Sequence, residues 1–176
     1  DCICVSGNWT PTVHLSSQSG NKLKFDEKIN AFIPNQSKQN ESTVGSANGS
    51  FTLKNSLEEG FRKGYELSKK ITGKNLQISI PATNERTYGI HDKFWCMPLP
   101  KNKNYKRCVD FQNDVYVSDI ELAIREGFRS IEHVKRYTTL GMATDQGRTS
   151  NLNGLQLVSN IEDKIVPEVG HTTFRP

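Results

Sequence analysis

The sequence predicts an α+β fold: an amino-terminal part that mixes strands with one long helix, then a small helical part. Three observations carry this. "CICVS" at 2–6 reads as a buried strand. "VGSANGSFTL" at 44–53 reads as a strand end, a small-residue turn and a helix start. From 108 onward the pattern changes to short capped helices. At 176 residues the chain suffices for one ordinary domain or two small ones.

In chain order, "GNWTPT" follows the first strand as a turn, and 41–46, "ESTVGS", suggests a short strand. A helix is predicted over about 52–72, where Leu53, Leu57, Phe61 and Tyr65 recur every four residues on one stripe. Gly60 and Gly64 lie one turn apart beside that stripe. Glycine weakens helices, so the pair predicts close approach to a sheet or ligand. Gly73 is placed to cap the end. "NLQISI" at 75–80 reads as another strand. Residues 81–105 have little periodicity and read as a linker with an aromatic patch at Phe94 and Trp95.

In the helical part, Ser118 and Glu121 have capping-box spacing for a helix ending near Gly127. Ser130 is placed to cap a second helix carrying Ile131, Val134 and Tyr137. A third carries Leu152, Leu155 and Val158, so this part spans about 106–160, with a linker at 161–176. His133 reads as a packed or solvated helix residue.

Composition excludes several classes. Net charge is +4 and the basic residues are scattered apart from "KNKNYKR" at 101–107, which argues against a nucleic-acid binder. No apolar run is long enough to span a bilayer. The four cysteines, Cys2, Cys4, Cys96 and Cys108, form no C-x-x-C, and the histidines complete no zinc spacing, so free buried thiols in a reducing, cytoplasmic setting are expected. Four Asn-x-Ser/Thr sequons begin at Asn8, Asn35, Asn40 and Asn48; in so Asn-rich a chain they are expected by chance, not as marks of secretion. The sequence begins without Met and shows no signal-peptide pattern at its start, so a fragment of a longer polypeptide is expected.

Two glycine-punctuated loops carry the functional reading. In 44–53, Gly45, Ala47 and Gly49 keep side chains away from backbone N–H groups that open toward a phosphate or ribose, although the pattern is not G-x-G-x-x-G. In "RYTTLGMATDQGRTSN", 136–151, hydroxyls, Asp145 and Arg148 crowd a stretch almost free of large apolar residues. A purely structural role is the competing reading there: Thr138, Thr139, Thr149 and Ser150 as helix caps, with Asp145 paired to Arg148 or Lys135. No nucleophile–base pair or paired carboxylates emerge from the sequence.

The segments "VSGNWTPTVHLSSQSGNKLKFDE", "AFIPN", "GSANGSFTL", "VDFQNDV" and "EGFRSIEHVKRYTTLGMATDQGRTSN" resemble the alpha subunit of heterotetrameric sarcosine oxidase across nearly the whole chain; "ITGKNLQISIPATNERTYGIHDKF" is the least distinctive part. Asn8 stands where that family usually has a second Gly. The resemblance implies the carboxyl-terminal part of an NAD/FAD-type dinucleotide-binding domain at 1–80. It also implies that the glycine-rich NAD fingerprint and a following folate-binding (tetrahydrofolate) domain lie outside this chain. In the intact complex, amine oxidation occurs at FAD in another subunit and electrons pass to FMN near the alpha–beta boundary. The chain alone then carries no amine-oxidation chemistry.

The implied cofactor contacts are NAD at Gly45, Ser46, Ala47, Gly49, Phe51 and Leu53. The flavin phosphate of the beta subunit is implied at Thr144, Gln146, Gly147, Arg148 and Ser150. The helical part further resembles domains of the bacterioferritin-associated ferredoxin type, found in related amine and opine dehydrogenases. These bind a 2Fe–2S cluster through C-x-C-E/D-x-V and G-M-G-x-C-Q-G-R-x-C. Here "VDFQNDV" and "GMATDQGRTS" keep the frame, but the ligand places are Asp110, Gln112, Asp145 and Ser150, none of them a thiolate. No cluster and no zinc are therefore expected. The alternatives are an alpha subunit of a related opine or secondary-amine dehydrogenase, and a cofactor-free protein-interaction module.

Overall fold

The computed structural model describes residues 9–84, 94–100 and 105–172. The expected strand at 2–6, with Cys2 and Cys4, lies outside them. The chain forms two compact units, Asp1–His91 with Phe174–Pro176, and Asp92–Thr173.

The first unit opens with a short helix, α1 (His14–Gln18), and an antiparallel hairpin of β1 (Leu23–Asp26) and β2 (Ala31–Pro34). Phe25 pairs with Phe32 across the hairpin, their rings 5.3 Å apart and edge-on. Val13, Ala31 and Phe32 are buried beneath it. Asn21 ties the following chain down: its Nδ2 donates to Ser16 Oγ at 3.0 Å, and its Oδ1 accepts the Lys38 N–H at 2.7 Å.

A 3-10 turn (Gly45–Asn48) then leads into α2 (Leu53–Thr72). The expected strand at 41–46 is not formed: Val44 is extended, but the turn begins at the next residue and no neighbouring strand pairs with it. The long helix has the predicted bounds. Thr52 caps it by accepting the Asn55 N–H at 3.2 Å, and Gly73, at φ 70°, closes it with an N–H to the Lys69 carbonyl at 2.9 Å. No residue of α2 is buried. Gly60 and Gly64 approach nothing among the described residues, contrary to the expected close contact. The strand expected at 75–80 is also absent; Leu76, Ile78 and Ile80 are exposed and no described strand lies beside them to supply a ladder.

The second unit begins with a hairpin the sequence reading missed, β3 (Cys108–Asp110) against β4 (Val115–Tyr116). Four helices follow: α3 (Val117–Arg125), α4 (Ile131–Thr138), α5 (Asn151–Ile161) and the short α6 (Val166–Val169). Ile120, Ile131, Val134, Leu140 and Val158 are fully enclosed and form the core. The predicted Ser118/Glu121 box does not form. The helix starts two residues earlier, with Tyr116 at the N-cap: Asp119 accepts the Tyr116 N–H at 2.8 Å, and Glu121 faces Arg107 at 3.6 Å. Ser130 holds the N-cap position of α4 without a side-chain bond. Of the residues predicted for α4, Ile131 and Val134 are buried, while Tyr137 stays at the surface, stacked on Phe128 and bonded to Glu126. On α5, Leu155 and Val158 are buried as predicted. Cys96 and Cys108 are free but half-buried rather than buried.

Candidate functional site

Two loops hold the residues singled out by sequence, and each belongs to one unit. In the first, the Gly45 N–H points at the Glu59 carboxylate on α2, 2.9 Å away, and the Ser50 hydroxyl donates to the same carboxylate. Ser56 Oγ donates to the Ser50 carbonyl at 2.9 Å. Burial pushes the Glu59 carboxyl up, but the hydrogen bonds from Ser50, Gly45 and Asn48, with the nearby Arg62 charge, outweigh it and hold it below its ordinary value. The anion that this turn accepts is thus an internal one. Gly49, at φ 87°, is needed both for its left-handed backbone and for space: a Cβ there would stand 2.9 Å from Ile29 Cδ1 and 3.1 Å from Ile33 Cγ2. Its open side is filled by the hairpin, not left for a cofactor. A phosphate therefore does not fit at Gly45 and Gly49. Ser46, Phe51 and Leu53 remain exposed at the rim and Ala47 is partly exposed.

The second loop is organised around two carboxylates. Asp110, only 2 % exposed at the end of β3, accepts the Gly141 N–H at 2.7 Å and the Ser150 hydroxyl at 3.3 Å on one oxygen. Its other oxygen accepts the Gln112 N–H at 2.9 Å. Asp145 accepts the Gly147 N–H at 3.0 Å, the Thr149 N–H at 3.1 Å and the Thr149 hydroxyl at 2.6 Å. The Thr149 hydroxyl bond leads in holding the Asp145 carboxyl below its ordinary value, against a smaller effect of burial, and the Gln112 side chain adds a weaker pull. Asp145 closes an Asx-type turn with Gly147 and Thr149, and no described ion pair joins it to Arg148. The loop then turns tightly over Asn151. Gly147, at φ 77°, has the Asn151 carboxamide so close that a Cβ would stand 2.2 Å from it.

Of the four places of the cluster-type frame, Ser150 is hydrogen-bonded to Asp110, and the Gln112 side chain lies near enough to Asp145 to help hold its carboxyl down. The hydroxyls of Thr149 and Ser150 are engaged, as are the N–H groups of Gly147 and Thr149. Ser150 does not cap α5, since its hydroxyl reaches across to Asp110 instead. Thr138 does serve at a helix end, donating to the Val134 carbonyl at 2.8 Å. What remains open toward solvent is the Arg148 guanidinium, which bonds to no described residue, with Thr144 and Gln146 exposed beside it. Arg148, a forked cation, is thus the charged donor this loop leaves uncommitted among the described residues.

Sequence reasoning missed Glu59 and the hub role of Asp110. Nothing local marks Glu59, fourteen residues beyond Gly45. Asp145 was singled out, but as an ion-pair partner; the signal for its turn was present in D-x-G-x-T, the spacing of an Asx turn closed by a threonine. Among the described residues no group of three or more His, Cys, Asp or Glu side chains is placed to hold a metal, and no helix is long and apolar enough to cross a membrane. Burial, with Asp114 and Asp110 nearby, pushes the Cys108 thiol up, so it stays protonated.

The mixed α/β fold is similar to that in the crystal structure of L-proline dehydrogenase from P. horikoshii. The TM-score is 0.65 at 22% identity, over 94% of this chain and 35% of that one. Residues 104–176 match the sarcosine oxidase A3 domain family. The chain is 35% identical over 178 residues to the sarcosine oxidase subunit alpha of Rhizobium meliloti (strain 1021), and 32% identical over 185 residues to that of Corynebacterium sp. (strain P-1). These alignments take in 100% and 99% of this chain and 18% of each relative. The chain therefore belongs to the sarcosine oxidase alpha-subunit family, as a segment spanning about a fifth of the length of those relatives.

Proposed function

We propose that this chain is the stretch of a sarcosine oxidase alpha subunit that joins a dinucleotide-binding region to a helical interface domain. Its work is to bind and position rather than to oxidise. Ser46, Ala47, Phe51 and Leu53 line the uncharged part of bound NAD, whose pyrophosphate is held by residues outside this chain. The helical domain, built on the ferredoxin-type frame without its cluster, faces the flavin-bearing beta subunit. There Arg148, with Thr144 and Gln146 beside it, contacts the FMN phosphate. The complex is a cytoplasmic oxidoreductase acting on the CH–NH bond of sarcosine, and the segment alone is inactive.

The observation that carries the interface role is Arg148: on a loop whose Thr149 and Ser150 hydroxyls and Gly141, Gly147 and Thr149 N–H groups serve internal carboxylates, it is the one cation held open on that loop among the described residues. The test is Arg148→Ala in the assembled complex. Loss of FMN or weakened alpha–beta association at unchanged thermal stability supports the contact; a full FMN complement removes it. The specific observation favouring the cofactor-free alternative is that Glu59 and Asp145 already occupy both loops. NAD titration of the full-length subunit separates the two, since a module without cofactors gives no binding isotherm.

A further inference from the structure

Helix α2 raises a problem that the two loops do not. It is 20 residues long, yet none of them is buried. At about 100° per residue, Leu53, Leu57, Gly60, Gly64, Leu67 and Ile71 fall within one arc of about 80°. Leu53 is 66 %, Leu67 51 % and Ile71 82 % exposed. The two glycines lie in the middle of that face with nothing within 4 Å of where a Cβ would be. Leucines at both ends and a glycine notch between them form a shape that admits another backbone at close range. In water the same pattern is doubly costly: glycine weakens the helix and the apolar ends stay wet. Helical stability in proteins comes chiefly from packing an amphipathic face, and among the described residues nothing covers this one.

We infer that the Leu53–Gly60–Gly64–Ile71 face of α2 is the packing seat for another segment of the same, longer polypeptide, a backbone element crossing at the Gly60/Gly64 notch. The occupant follows from length. The relatives align with this chain over only 18% of their own sequence, and the similar solved structure holds the fold within a chain of which 35% is covered. Most of the polypeptide available to cover α2 thus lies in the same subunit. The inference rests on the proposal that the chain is a segment of such a subunit.

The test uses the full-length polypeptide that contains this chain, expressed without other subunits. Gly64→Leu reverses sign according to the state of the face. On an open face leucine, the better helix former, raises the melting temperature; under a crossing backbone it has no room and lowers it, by roughly 5 °C or more. Hydroxyl-radical footprinting gives the second measurement. Leu67 and Ile71 are expected to react at least tenfold more slowly than in the urea-unfolded protein, equally at low and high protein concentration. A raised or unchanged melting temperature overturns the inference, as does reaction at the unfolded rate. Protection that vanishes on dilution overturns it too, since the cover is then a second copy. A natural polypeptide that proves no longer than this chain defeats the segment proposal itself, a failure read from its mass before any variant is made.

Discussion

The two glycine-punctuated loops look alike in sequence and differ in how they are held. The turn at Gly45–Ser50 is closed by one carboxylate from the next helix, and Glu59 is half-exposed. The loop from Gly141 to Ser150 is closed twice: locally by Asp145 within its own turn, and remotely by the buried Asp110, 31 and 40 residues from its partners Gly141 and Ser150. The difference teaches that small residues and hydroxyls around a turn do not by themselves signal an exogenous anion. A carboxylate from the same chain satisfies the same donors. The ligand question then falls to whatever donors are left over, Arg148 in the second loop and the exposed Lys54 beside the rim of the first.

The largest effect is expected where the closure is deepest. Asp110→Ala leaves the Gly141 and Gln112 N–H groups and the Ser150 hydroxyl without their acceptor. Two of these donors, the Gly141 N–H and the Ser150 hydroxyl, are buried, and at about 1–3 kcal/mol for each the loss is on the order of 3 kcal/mol. Chemical denaturation checks it; a loss under about 1 kcal/mol would mean that the remote closure contributes little.

Gly49→Val should cost about 2 kcal/mol, from the left-handed backbone together with crowding against Ile29 and Ile33. Because the clash is with the hairpin, the loss should appear in thermal melts without any dinucleotide. A variant of normal stability that loses only NAD affinity would restore the phosphate reading of the first loop.

Glu59→Gln should cost roughly 1 kcal/mol through the weakened bonds from Gly45 and Ser50. The pH dependence sharpens the comparison. The Glu59 and Asp145 carboxyls both lie below their ordinary values in the folded chain. Each therefore contributes stability that is present above the ordinary carboxylate range and is lost as pH falls through the folded value. Glu59→Gln and Asp145→Asn should each flatten the acid limb of a stability–pH curve; an unchanged limb would show that neither closure is electrostatic.

Arg148→Ala should change the stability of the isolated chain by no more than about 0.5 kcal/mol, since its guanidinium touches no described residue. A larger loss would make Arg148 a structural residue and remove it from the interface.

What the sequence determined by itself was local. The bounds of α2 followed from a four-residue apolar period and a terminal glycine, because helix hydrogen bonds join residues four apart and the cap lies next to them. The buried faces of α4 and α5 were legible for the same reason. Even there the capping of α3 was misread, since Asp119 and Glu121 both suit the N3 role and the starting register of the helix, with Tyr116 rather than Ser118 at the N-cap, decides between them. Tertiary structure decided everything that needs a distant partner. "ESTVGS" and "NLQISI" have strand-like composition, but a strand exists only beside another, and the described residues provide no neighbour. The hairpins at Leu23–Pro34 and Cys108–Tyr116 do have partners, within a few residues. Asp110 reads in sequence as an empty ligand place. Only the fold, by carrying Gly141 and Ser150 against it out of water, makes it the group that holds the loop together, because a buried carboxylate is tolerated only where donors converge on it.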